Sequence, residues 1–168
     1  MEKLINEIKK LLPQDKDILI VCVGSDRITG DCLGPLAGTF LENKGFDVLG
    51  TIHSPVHAGN IKKAIQFIKA LHHNKFKIAI DACLGCKENI GKIYVTAGPL
   101  IPGIGVKKYN LPQIGDMSIT GIVNEYVKGK EYPKLIDTRL SLVWDMAEVI
   151  ANAIEKAYYE TCVIETTV

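Results

Sequence analysis

Two uninterrupted apolar runs constrain the fold of this chain more than any other feature. DILIVCVG (17–24) and FKIAIDA (76–82) show no alternation of polar and apolar residues. A strand with one wet face alternates, whereas a strand covered on both faces does not, and the second pattern belongs to central parallel strands. The segments between them have the form of crossover connections. GSDRITGD leaves the first strand as a loop. From Asp31 the chain turns helical, with Leu33, Leu36, Ala37, Phe40 and Leu41 on one side and Gly45 as the stop. FDVLGTI (46–52) is a second predicted strand. After the loop HSPVHAGN, Asn60 stands where it can cap the helix IKKAIQFIKALHH, whose inward residues are Ile61, Ala64, Ile65, Ile68 and Leu71. A βαβαβ order with right-handed crossovers places helices on both faces of the sheet. The expected fold is therefore α/β: a three-layer α/β/α sandwich around a mostly parallel, mixed central sheet.

The second half is less regular. KIYVTAG (92–98) is a predicted fourth strand, possible as an antiparallel one. PLIPGIGVKKYNLPQIGDMS (99–118) is a long segment rich in Gly and Pro, and loops of that length inside a domain are usually functional. SITGIVNEYV is expected to be a short helix. The last strong element starts near Asp137, with Asp137 or Thr138 as its cap. There Leu140, Val143, Trp144, Ala147, Ile150 and Ile154 repeat at helical spacing to about Tyr159. At the N-terminus, residues 2–12 form an amphipathic surface helix. The tail, 161–168, is expected to be loosely held. With 168 residues, one domain with its core over 17–159 is expected.

Charge excludes some partners. Twenty basic and 19 acidic residues leave a net charge of +1, so no general field draws nucleic acid or an anionic membrane. The N-terminal helix is too charged and too short for a signal peptide or a membrane span. Five cysteines without a secretory signal point to a reduced, cytoplasmic protein.

In open α/β sheets ligands bind beyond the carboxyl ends of the strands, near a topological switch point. Two aspartates fall there: Asp31 in GSDRITGDCLGP and Asp81 in IAIDACLG. Asp31 has a plain alternative, since aspartate is a common helix cap and favours the positive end of the helix dipole. Asp81 has a weaker one, because aspartate is disfavoured in strands and costly to bury. Two converging carboxylates can share a proton, one acting as base on water and the other as acid. They can also hold a divalent metal that activates water. Spacing does not choose between these.

Other residue types are weaker candidates. Cys83 and Cys86 form a CxxC, but zinc normally needs a second pair, and a redox CxxC opens a helix whereas this one leads into KENIGK. Cys32 is a nucleophile candidate or simply packs. His53 and His57 flank the loop after the second strand and are ligands, acid/base groups or ordinary loop residues. His72 and His73 end a helix as dipole partners. There is no GxGxxG and no P-loop, so nucleotide binding has no motif behind it.

VGSDRITGDCLGPLAG, PVHAGN, IAIDACLG and LPQIGDMSITGIVN together resemble the YyaC family of sporulation proteins, described as spore proteases. The resemblance covers about residues 17–159. Through it the chain is similar to the hydrogenase maturation proteases and to the spore germination protease, with their α/β sandwich and mixed sheet. The germination protease has TPDALGP and AIDA where this chain has TGDCLGP and AIDA, which implies that Asp31 and Asp81 are catalytic. In the maturation proteases these positions carry nickel ligands, a Glu and an Asp. Their third ligand, a His, would fall near Ser118, where this chain has none. Any metal here would rest on Asp31, Asp81 and His57, and no cofactor is firmly expected.

The resulting expectation is a sporulation-associated peptidase acting on a protein or peptide substrate in the cytoplasm of the forespore or spore core. Gly24, Ser25, Asp26, Thr29, Gly30, His57, Asp116, Ser118 and Thr120 are expected to support the aspartate pair. Backbone amides of the 24–31 loop are the expected donors to the substrate carbonyl, and Asp116 is either a third carboxylate or part of a Gly-Asp turn. A metal-dependent hydrolase or metal sensor, and a non-catalytic binding module on the same fold, are the alternatives.

Overall fold

The computed structural model describes residues 1–102 and 111–162. The chain runs α1 (Glu2–Lys9), β1 (Ile18–Cys22), α2 (Leu33–Glu42), β2 (Val48–Leu49), α3 (Ile61–Leu71), β3 (Phe76–Gly85), β4 (Ile93–Ala97), β5 (Met117–Glu125), α4 (Glu131–Ile136) and α5 (Leu140–Cys162). Among the described residues, five strands form one sheet in the order β2-β1-β3-β5-β4. All neighbours are parallel except β4, which runs antiparallel to β5. The loosely held tail expected at 161–168 lies, beyond Cys162, outside the described residues. So does the middle of the long loop.

Helices cover the sheet unevenly. The even-numbered residues of β1 and β3, Ile18, Ile20, Ile78 and Ile80, face a large core shared with α1, α2 and α5. Their odd-numbered neighbours Leu19, Val21 and Ala79 face a smaller core under α3. This explains why neither apolar run alternates: β1 is buried at all five positions. At about 0.8 kcal/mol per buried methylene, burial on both faces stabilises this strand. α3 buries only Ile61 and Ile68 fully, and Leu71, expected inward, is 63% exposed. α3 does not cover this face alone: Leu100, Leu111 and Ile114 from the two ends of the long loop join the same core.

Several expected elements take another form. SITGIVNEYV is not a helix: Met117–Glu125 is β5, paired on both sides between β3 and β4. Its Ile119, Ile122, Val123 and Tyr126 fit helical spacing, but a strand buried on both faces loses its two-residue period, and β-branched residues then favour the sheet. The second strand shrinks to two paired residues at the sheet edge. The last helix begins at Leu140 rather than at Asp137, and the short α4 precedes it. Thr138 is spent on α4, donating its hydroxyl to the Lys134 carbonyl at 2.8 Å. α1 ends at Lys9, short of the expected residue 12, and packs as an amphipathic surface helix should, with Leu4, Ile5 and Ile8 buried against the main core.

The turn after β1 depends on two glycines. Gly24 has φ of +142°, and a Cβ there would stand 2.0 Å from the Asp31 carbonyl oxygen. Gly34 lets α2 rest on the sheet, since a Cβ would lie 2.2 Å from the Val23 carbonyl oxygen. Both hold Asp31 against the ends of β1 and β3. Gly24→Ala is expected to destabilise the protein by about 2–4 kcal/mol through strain and overlap together. A urea midpoint unchanged from wild type would contradict this placement of the turn.

Candidate active site

β1 connects to β2 on one side through α2 and the chain returns to β3 on the other side through α3. The switch point therefore lies at the carboxyl ends of β1 and β3, where crevices form in such sheets. The strand register makes the crevice deeper. Cys22 at the end of β1 pairs with Ile80, so Asp81 is the first β3 residue beyond its neighbour. β3 itself continues to Gly85, so Asp81 lies within that strand rather than closing it. On its other side Asp81 stands opposite Thr120. A cavity of about 380 Å³ opens here on the α3 face.

Asp31, Asp81, His57, Gly24, Ser118 and Thr120 all line this cavity. Asp31 does not cap α2: it sits in a 3-10 turn, Thr29–Cys32, and the residue before the helix is Cys32, with no side-chain cap bond. The plain alternative for Asp31 therefore fails. The remaining expected residues are elsewhere. Asp26 is exposed, and Thr29 offers its carbonyl to the Cys32 thiol at 3.1 Å. Gly30 is buried against Leu135 and Thr138. Ser25 lies outside the wall, but its backbone amide supports Asp31. Asp116 sits at the start of β5, at the opposite end of the sheet, exposed and accepting the Lys77 amide at 2.8 Å. It is not a third carboxylate of the site. Reading 115–121 as loop and helix hid the strand direction that separates Asp116 from Thr120.

The two aspartates differ in environment. Asp81 is only 8% exposed. Burial first, and then the nearby Asp31, push its carboxyl well above the ordinary range, while an N–H from Ala82 at 2.9 Å partly opposes the shift. Burial also raises Asp31, but the Ser25 amide offsets part of it. In a close like-charge pair one member keeps its proton. The upward push is the stronger on Asp81, which makes Asp31 the first of the two to ionise.

His57 is held by its own loop. Its backbone N–H donates to Asn60 Oδ1 at 2.8 Å, and Asn60 Nδ2 donates to the Pro55 carbonyl at 2.9 Å. Asn60 occupies the cap position of α3, yet its side chain is used on this loop and caps nothing. The Gly59 N–H donates to His57 Nδ1 at 3.1 Å. Histidine 53 is exposed and takes no part in the cavity wall.

The donor set does not fit a three-ligand metal site. Among the described residues no three His, Cys, Asp or Glu side chains converge closely enough to hold an ion. His57 accepts a hydrogen bond on Nδ1, whereas a ligand binding through Nε2 normally donates from Nδ1. The position where the resemblance implies a third ligand is Ser118, which is buried, with its hydroxyl 3.5 Å from the Thr96 carbonyl oxygen.

Cys83 is a wall residue that the CxxC spacing obscured. Asp81 and Cys83 are two residues apart in one strand, so both face the cavity. The signal was present in the sequence, in the continuation of IAID into ACLG. Cys83 and Cys86 are both free. Three residues of extended chain separate their Cα atoms by about 10 Å, beyond disulfide reach. Burial and Asp81 push the Cys83 thiol up to about 11, against a partial opposing bond from Thr120. Iodoacetamide at neutral pH is expected to label the exposed Cys86 first, with Cys83 slower than an ordinary thiol by roughly a hundredfold. Equal labelling by peptide mapping would contradict a protonated Cys83. The rest of the wall is mostly apolar: Val23, Leu84, Leu100, Ile101, Leu111 and Leu135.

The chain matches the model of a family described as a protein of unknown function, DUF1256, over residues 1–153. It belongs to the DUF1256 family. The "Uncharacterized protein YyaC" of Bacillus subtilis (strain 168) is 50% identical over 143 residues, covering 83% of this chain and 68% of that protein. Two solved structures from Thermococcus kodakarensis share the fold of this DUF1256 member. The [NiFe] hydrogenase maturation protease HycI has a TM-score of 0.55 at 19% identity, covering 88% of this chain and 98% of its own. The maturation protease HybD has a TM-score of 0.52 at 16% identity, covering 83% and 97%. No helix among the described residues is long and apolar enough to cross a membrane.

Proposed function

We propose that this protein is a peptidase in which Asp31 and Asp81 act as a proton-sharing pair on water and a peptide bond. One observation carries the reading: a carboxyl at 8% exposure, pushed upward by burial and by a second carboxyl nearby, on the wall of one mostly apolar cavity. Buried aspartates are costly unless they are used or paired, and the Asp81 carboxyl is supported by the Ala82 amide. Structural likeness to maturation proteases supports the same class of reaction.

The step balances as follows. The Asp31 carboxylate takes a proton from water as the oxygen adds to the carbonyl carbon. The Asp81 carboxyl gives its proton to the carbonyl oxygen, forming a gem-diol. Asp81 then recovers a proton from one hydroxyl as the C=O bond reforms and the C–N bond breaks. The leaving nitrogen takes its proton from Asp31. Water and peptide become acid and amine, and both aspartates return to their starting states.

The proposal includes a protein or peptide substrate and, through the YyaC resemblance, a sporulation setting in the cytoplasm of the forespore or spore core. It includes no nucleic-acid or membrane partner. The test uses a proteome-derived peptide library, with new termini read by mass spectrometry. Wild type is expected to produce cleavages that the Asp31→Asn/Asp81→Asn double variant does not. No cleavage by folded wild type, with or without added divalent metal, would end the reading.

A further inference from the structure

We infer that His57 is a third catalytic residue, a fixed neutral donor that presents its Nε2–H to the carbonyl oxygen of the bond being cleaved. This rests on the peptidase reading above and adds a group to it.

The attacked carbonyl oxygen needs donors as charge develops on it. The amides of the 24–31 loop are the obvious source, but four of the eight are already committed. Gly24 N–H donates to the Val56 carbonyl at 2.9 Å, Ser25 N–H to the Asp31 carbonyl at 3.1 Å, and Asp31 N–H to the Ile28 carbonyl at 2.9 Å. Arg27 N–H donates to Ser25 Oγ at 3.2 Å. Across the cavity the Ala82 amide is spent on Asp81. Among the wall hydroxyls, Ser118 lies 3.5 Å from the Thr96 carbonyl oxygen, a long contact, and Thr120 is turned to the Cys83 sulfur.

His57 differs from all of these. Its Nδ1 accepts the Gly59 N–H, so in the neutral ring the proton sits on Nε2. The ring edge bearing Nδ1 and Cε1 is turned towards Gly59, where a Cβ would stand 3.0–3.1 Å away. That leaves the Nε2 edge as the one the imidazole offers to the cavity it lines. The Asn60 side chain ties down both the His57 amide and the Pro55 carbonyl. The His57 carbonyl accepts the Asn60 and Ile61 amides at 2.9 Å each, which fixes the loop to the start of α3. Every local bond thus holds one tautomer in one place. The proton stays on Nε2 throughout the reaction, so no bond to His57 forms or breaks.

Two readouts test this. The first needs no substrate. NMR of isotope-labelled imidazole nitrogens at neutral pH is expected to show His57 as the Nε2–H tautomer. A proton on Nδ1 would overturn the inference whatever the activity. The second uses a peptide cleaved by wild type. His57→Ala is expected to lower kcat by about 10²–10³-fold with KM changed less than about threefold, the usual signature of a lost oxyanion donor. His57→Gln keeps an N–H near the Nε2 position and is expected to recover at least about tenfold of that loss. Gly59→Ala, which pushes the ring without altering it, is expected to lower kcat in the same direction. A His57→Ala variant within threefold of wild type in kcat, while Asp31→Asn and Asp81→Asn remain inactive, would overturn the role of His57 and leave the peptidase reading standing. Wild type without any cleavage would instead remove the peptidase reading and the catalytic role with it.

Discussion

Asp31→Asn and Asp81→Asn are each expected to lower peptide hydrolysis by about 10³-fold while leaving the fold intact, because each removes one half of a proton relay. The two losses differ in kind. Asn at 31 cannot take a proton from water, and Asn at 81 cannot return one to the carbonyl oxygen. In wild type, activity needs Asp31 ionised and Asp81 protonated. The acidic limb of the pH profile then reports ionisation of the pair's first proton, shifted above the ordinary carboxylate range by burial of Asp31. The alkaline limb reports loss of the second, held well above that range by burial of Asp81 and by the Asp31 charge. Both limbs belong to the pair rather than to either residue. Steady-state rates of the single variants across pH check this, and either variant at wild-type rate would remove that residue from the chemistry.

Asp81→Asn is also expected to make the protein more stable at alkaline pH. The native carboxyl titrates above its unfolded value, so the native state binds more protons than the unfolded state between the two. Its contribution is fully present below the unfolded value near about pH 3.9 and is lost as pH rises through the raised native one. Across that window wild-type stability falls by up to about 1.4 kcal/mol per pH unit on account of this group alone. The variant has no proton to lose, and its amide keeps an oxygen for the Ala82 N–H. The gap between the two proteins therefore widens in the variant's favour as pH rises. Urea unfolding of both proteins over a pH series checks it, and parallel curves would show that Asp81 is not held protonated. Removing the wild-type carboxyl thus gains stability and loses activity, as expected where a strained site serves function.

Much of this was legible in the sequence, for physical reasons that can be named. β1 and β3 declare themselves because burial on both faces removes every polar residue from Ile18–Cys22 and most from Phe76–Ile80. The same burial misleads at β5, whose Ile119, Ile122 and Val123 imitate a helical stripe once the period of two is gone. Gly121 in that strand looks like a break, yet it makes room for Leu33 and Met146 from the helices above. Misreading β5 carried Asp116 into the site, because which end of a sheet a residue occupies follows from strand direction. Asp81 was visible as an aspartate in an apolar run. Asp31 was named for the site alongside a plain reading as a helix cap, and only the turn at Thr29–Cys32 separates the two. The fixing of His57 was not visible, because its bonds to Gly59 and Asn60 depend on how the loop folds back before α3.

The central claim is that Asp81 keeps its proton because it is buried and because Asp31 faces it across one cavity. Carboxyl-carbon NMR of the labelled aspartates, titrated in wild type and in Asp31→Asn, tests it directly. In wild type the Asp81 carboxyl is expected to titrate well above every exposed aspartate, and in Asp31→Asn to move back towards them while staying raised by burial. An Asp81 resonance that titrates with the exposed aspartates, or one that does not move when Asp31 is neutralised, would contradict the account.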